Sequence, residues 1–158
     1  MSTITIRQAV LADLEALAPL FDSYRQFYGR PSDLPAATEF LSARFNHNES
    51  VLFIAHEGNQ AIGFTQLYPS FSSVSLARTF VLNDLFVCEQ ARRKGVASKL
   101  MSAAVDYAGS LGAVRVSLST ATTNKAAQRL YEFAGWKRDQ QFLVYHFTVP
   151  LASSRLGK

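Results

Sequence analysis

Three features of this sequence predict an α/β fold: a mixed, mostly antiparallel central sheet of about seven strands, flanked by about four helices. The first half holds apolar runs separated by hairpin-type turns. The second half alternates strand-like and helix-like runs. Two long apolar stripes, starting at Leu14 and at Leu100, recur at helical rather than strand spacing.

Ile4–Gln8 alternates apolar and polar residues, the pattern of a strand with one buried face. After Asp13, an N-cap residue type, Leu14, Leu17, Leu20, Phe21 and Tyr24 repeat at three and four and predict a first helix. Gly29–Pro35 collects glycine, proline, serine and aspartate and predicts a loop, and Phe40, Leu41 and Phe45 predict a second, short helix. Val51–His56 and Ala61–Tyr68 are apolar runs joined by Glu57-Gly58-Asn59-Gln60, a hairpin signal. Ser70–Ser75 then crosses to the long run Thr79–Val87.

Leu100, Met101, Ala104, Val105, Ala108 and Leu111 trace a third helix that Gly112 ends. Val114–Leu118 reads as a strand, and Asn124 opens a fourth helix whose apolar face holds Ala127, Leu130 and Tyr131 until Gly135 stops it. Trp136–Asp139 and Phe142–Val149 are expected to close the sheet as two more strands. The second would be an exposed edge able to pair with another copy, so a homodimer is expected. Residues 151–158 are small and polar and read as a flexible tail behind one domain, residues 1–150.

The chain has 158 residues, 48% apolar and 18% charged, which is the composition of one globular domain. No apolar segment is long enough to span a bilayer, and the first residues lack the basic start and apolar stretch of a secretory signal. With a single cysteine, Cys88, an internal disulfide is impossible, so a cytoplasmic setting is expected. His47, His56 and His146 are widely spaced and make no metal-binding motif, so no metal is expected. The net charge of +4 is scattered except at Arg92-Arg93-Lys94. No basic arm suggests nucleic acid, and the cluster suits a phosphate-bearing cofactor better.

That cluster lies in Val87-Cys88-Glu89-Gln90-Ala91-Arg92-Arg93-Lys94-Gly95-Val96-Ala97, between a buried strand and a helix. A helix N-terminus presents unpaired N–H groups and the positive end of the helix dipole. Gly95 removes a Cβ where backbone must approach an anion, Ala97 is nearly as small, and Arg92, Arg93 and Lys94 add positive charge. The segment therefore reads as a pyrophosphate cradle, although it is neither a Walker A loop nor a dinucleotide fingerprint.

Arg92-x-x-Gly95-x-Ala97 resembles the [QR]xxGx[GA] signature of the GNAT N-acetyltransferase superfamily. Asn124-x-x-Ala127-x-x-Leu130-Tyr131-x-x-x-Gly135-Trp136 resembles that family's second landmark. The likeness covers roughly residues 3–149, and Val81–Val87 is most similar to a branch acetylating polyamines, amino acids and basic protein tails.

The resemblance implies acetyl-CoA as cofactor and direct attack of a primary amine on its thioester. The amine would belong to a polyamine, an amino acid or a protein lysine. The backbone of Leu85, Phe86 and Val87 would hold the pantetheine arm, with an N–H near Phe86 polarising the thioester carbonyl. Arg92, Arg93, Lys94, Gly95, Val96, Ala97 and Ser98 would take the pyrophosphate. Asn124 and Ala127 would line the cofactor or acceptor side, and Tyr131 would protonate the departing thiolate. A phenol with an ordinary pKa of about 10 carries that proton at neutral pH.

The attacking amine must lose a proton, and Asp84 is the carboxylate selected for that, with Tyr24, Tyr28, Tyr68 and Asn83 expected to line the acceptor pocket. The polyamine branch usually has glutamate where this chain has Asn83, and the family usually has proline at Glu89. Bland readings stand beside these. Asp84 could instead cap backbone or pair with Arg78, Tyr131 could be core, and Cys88 reads as an inert thiol. Arg25 or Arg30 could grip a carboxylate if the acceptor were an amino acid, while Glu39, Asp33 or Glu57 could attract a polyamine, and the sequence does not decide between them. A non-catalytic acetyl-CoA-binding regulatory module, an acyltransferase of different chain length and, last, a nucleic-acid binder are the competing functions.

Overall fold

The computed structural model describes residues 3–152 and shows five strands where seven were expected. They are β1 (Ile4–Gln8), β2 (Val51–Glu57), β3 (Gln60–Ser72), β4 (Ala77–Val87) and β5 (Arg115–Ser117). The helices are α1 (Leu14–Phe27), α2 (Leu34–Asn46), α3 (Val96–Ser110) and α4 (Lys125–Phe133). The chain divides into two compact units, Met1–Ala121 and Thr122–Lys158. No described helix is long and apolar enough to cross a membrane.

In the first unit the sheet order is β1-β2-β3-β4-β5. Neighbours are antiparallel through β4, and β5 lies parallel to β4. The parallel pair requires a crossover, which α3 supplies. Both faces of the sheet are covered. Leu17, Leu20 and Phe21 of α1 and Ala37 and Leu41 of α2 pack on Leu52, Ile54 and Phe64. On α3, Tyr107 meets Phe53 and Phe80 edge-on, at 5.6 and 5.8 Å between ring centres. Two-sided burial explains why Leu52–Ala55 is continuously apolar instead of alternating.

Two elements run longer than their apolar patterns. α2 begins at Leu34 because the Asp33 carboxylate accepts the Ala36 N–H at 3.1 Å. Pro35 sits in the first turn, where no donor is required of it. β3 continues through the expected crossing to Ser72, and beyond Leu67 the β3–β4 ladder keeps one register to Ser72 and Ala77. Backbone pairing holds that polar stretch extended although it has little apolar surface to bury.

In the second unit Asn124 caps α4, its Oδ1 accepting the Ala127 N–H at 3.1 Å, and the Gly135 N–H closes the far end on the Glu132 carbonyl. The two closing strands are not formed. Among the described residues, 136–150 carry no strand. Asp139 Oδ1 takes the N–H groups of both Gln141 and Phe142, an Asx-type turn between the two runs. Alternation says which faces a strand would have, but a strand exists only with a laddered neighbour. The edge expected to join two copies therefore lacks its strand. Residues 153–158 of the expected tail lie outside the described residues.

The α1–α2 connection is tied down by a buried acid. Asp22, 6% exposed, accepts hydrogen bonds from the Asp33 N–H at 2.8 Å, the Ser32 hydroxyl at 2.7 Å and Gln26 Nε2 at 3.1 Å. These donors, the Asp33 N–H first, hold its carboxyl below the ordinary carboxylate range. Asp22→Ala should cost about 3 kcal/mol by urea denaturation at pH 7, because it strands these donors. A carboxyl lowered in the folded state stabilises above its unfolded pKa and loses that contribution as pH falls through its folded value. The gap between wild type and Asp22→Ala should therefore narrow below about pH 4.

Candidate functional site

β4 is irregular where the chemistry was expected. Asp84 faces Gln66 across the β3–β4 ladder, but the next pair is Leu82 with Leu67, so Asn83 is an extra, bulged residue. On its other side β4 is paired with β5 only at Thr79–Val81. From Leu82 onward, among the described residues, that side has no strand neighbour.

Hydrogen-bonded positions alternate along an antiparallel ladder. The Cys88 N–H bonds to the Ile62 carbonyl at 2.9 Å, so Phe86, two residues back, also directs its backbone toward β3. The groups facing away from β3 are those of Leu85 and Val87, one on each side of Phe86. The Val87 carbonyl is already taken by Arg92 Nε at 3.0 Å. Gly63 keeps this part of the ladder close: a Cβ there would lie 2.7 Å from the Phe86 carbonyl oxygen.

Beyond Val87 a short 3-10 turn, Glu89–Ala91, leads to Arg92 in extended backbone, Arg93 at φ 66° and Gly95 at φ 77°. Gly95 is the N-cap of α3, and no side chain caps it. The first intrahelical bond is from Lys99 N–H to the Gly95 carbonyl at 3.1 Å. The N–H groups of Val96, Ala97 and Ser98 thus leave the helix end uncommitted to the helix itself. A cradle of this kind suits an anion. Lys94 reaches Glu57 at 3.2 and 3.3 Å, an exposed pair of small energetic weight. Arg92 lies over the rings of Phe27 and Phe86, with its Cζ 5.7 and 5.9 Å from their centres.

On the α1 side of the sheet, Asp84 is 3% exposed and doubly held, by Gln66 Nε2 on Oδ2 at 2.6 Å and Asn83 Nδ2 on Oδ1 at 3.0 Å. The pairing with Arg78 is not made; Arg78 lies over the Phe71 ring. The Tyr24 hydroxyl donates to the Asn83 carbonyl at 3.3 Å, and its ring packs against Tyr28, Phe64 and Phe86. Burial, then the charge of Asp84, raises the Tyr24 pKa. The same two causes push Tyr68 up to about 12. Both phenols are therefore neutral donors at physiological pH. Tyr24, Tyr28, Tyr68, Asn83 and Asp84 thus lie close together.

Gln66 was missed. Its only signal was a polar residue inside an apolar strand run, yet it is fully buried and its Oε1 has no hydrogen-bond partner among the described residues. Cys88 is half-buried at the start of the 3-10 turn.

Asn124, Ala127 and Tyr131 lie in the second unit, on and just before α4. Asn124 and Ala127 form the helix cap described above. Tyr131 is half-buried, its ring 6.4 Å from that of Trp136, and its carbonyl accepts the Trp136 N–H at 3.0 Å.

The model of the acetyltransferase (GNAT) family matches residues 16–136. The uncharacterised N-acetyltransferase YhfO of Bacillus subtilis is 51% identical over 147 residues, 93% of this chain and 99% of its own length. The crystal structure of a probable acetyltransferase superposes with a TM-score of 0.88 at 44% identity, covering 92% of this chain and 98% of its own. An aminoglycoside N-acetyltransferase, AAC(6')-Iy, crystallised with CoA, shares the fold at a TM-score of 0.77 and 22% identity, covering 94% and 97% of the two chains.

Gly63→Ala should destabilise the protein by about 1–3 kcal/mol in urea denaturation, since the added methyl meets backbone rather than a movable side chain. Wild-type stability for this variant would show that the β3–β4 approach is looser than its geometry.

Proposed function

Because the chain belongs to the acetyltransferase (GNAT) family and is an acetyltransferase, we propose that it moves the acetyl group of acetyl-CoA to a primary amine of a small acceptor. The observation that carries this reading is the unpaired side of β4 leading, through one short turn, to the uncapped, glycine-initiated start of α3. Extended amides and a diphosphate are what such a surface can satisfy. When bound, acetyl-CoA supplies the acetyl group as an activated thioester.

In this reading the backbone of Leu85 and the N–H of Val87 pair with the amides of the pantetheine arm, as an added strand would. One of these N–H groups, next to Phe86, also polarises the thioester carbonyl. The N–H groups of Val96, Ala97 and Ser98 hold the pyrophosphate, Gly95 admits it, and Arg93 and Lys94 neutralise it. Lys94 exchanges Glu57 for phosphate at little cost, because an exposed pair is worth about 0–1 kcal/mol.

Asp84 receives the proton that the acceptor ammonium must lose, directly or through water. Gln66 and Asn83 fix the orientation of its carboxylate, and the neutral phenols of Tyr24 and Tyr68 wall the acceptor side with Tyr28. Tyr131, with Asn124 and Ala127 beside it in sequence, keeps the part its motif implies, protonation of the leaving thiolate. The relationship to YhfO supports the amine as acceptor.

Acetyl-CoA-dependent thiol release, measured against polyamines, amino acids and a lysine-rich peptide, tests the proposal. Tyr131→Phe and Asp84→Asn should each lower kcat by about 100-fold. Acetyl-CoA should also raise the melting temperature. A melting temperature indifferent to acetyl-CoA would overturn the reading.

A further inference from the structure

Arg92 stands in the segment expected to bind phosphate, but its side chain is committed elsewhere. Nε is fixed on the Val87 carbonyl at 3.0 Å, and the guanidinium lies over Phe27 of α1 and Phe86 of β4. Its two Nη groups have no hydrogen-bond or salt-bridge partner among the described residues. A guanidinium oriented this way, with its outer donors open, is a preformed fork for a carboxylate.

Phe86 and Asp84 are two apart on β4 and so share the face that meets α1, about 6.6 Å apart along the strand. Tyr24 joins them, with its ring 6.3 Å from Phe86 and its hydroxyl at the Asn83 carbonyl. An aromatic floor thus carries a cation at one end and a carboxylate at the other.

Resting on the transferase reading above, we propose that the acceptor is a free amino acid, its carboxylate held by the Arg92 fork and its amine delivered to Asp84. An amino-acid zwitterion carries both complementary charges, a carboxylate for the guanidinium and an ammonium for Asp84. A polyamine would set a second ammonium against Arg92, a like-charge contact that selects against it.

The test is steady-state acetyl transfer by the full chain on matched acceptors: amino acids of both hands, their amides, the corresponding decarboxylated amines, and spermidine. Each amino acid should exceed its amide and its amine in kcat/KM by about tenfold or more. Arg92→Gln should abolish that preference by raising the amino-acid KM, with the acetyl-CoA KM changed less than about twofold, and Arg92→Lys should keep part of it. Equal use of amides or decarboxylated amines by the wild type overturns the proposal, as does no turnover of any amino acid. So does Arg92→Gln raising the acetyl-CoA KM while the acceptor preference survives, which would return Arg92 to the cofactor. Thermal stabilisation by acetyl-CoA separates the two failures: if it persists, only the acceptor assignment is lost.

Discussion

The candidate site depends on how β4 is paired. Along β3 it is laddered from Ala77 to Val87 except at the Asn83 bulge, but β5 accompanies it only from Thr79 to Val81. A backbone amide without a partner must find water or a ligand, so the break in pairing leaves an open edge beside the candidate site. The Asn83 bulge adds to this by interrupting the ladder next to Asp84. Gly63 makes the arrangement possible from behind, because any Cβ there would press on the Phe86 carbonyl and push β4 outward.

Charge is distributed on this frame by what each side chain can pair with. Asp84 is tolerated in a buried position because two amide donors satisfy its oxygens and two neutral phenols surround it. The basic residues of the following loop do not act as one patch. Lys94 is balanced by Glu57, Arg92 is drawn to aromatic rings and a strand-end carbonyl, and Arg93 pays backbone strain at φ 66°. Adjacent cations in sequence thus serve different parts of the surface.

The helices were legible because their signals are local. The apolar stripes of α1 and α3, the Asn124 cap and the glycines at 112 and 135 each act within a turn of their own position. The glycine-led start of α3 is equally local, and Asp84 stands out as a polar residue in an apolar run. Strands were less legible, since the partner that makes them is remote. β3 was read too short because pairing with β4, not side-chain burial, sustains its polar end. The two runs after Trp136 have the alternation of strands, but an Asx turn at Asp139 stands between them and neither is laddered.

By itself the sequence determined the family and the order of helices and most strands. Those follow from residue types at fixed short spacings, which covalent geometry converts directly into faces, caps and turns. Only the tertiary structure decided that Gln66 stands behind Asp84, that Leu85 and Val87 are the residues with outward-facing backbone, and that Arg92 turns to Phe27 and Phe86. Each of these joins residues from different elements through register and packing, and a one-residue change of register would have reversed them.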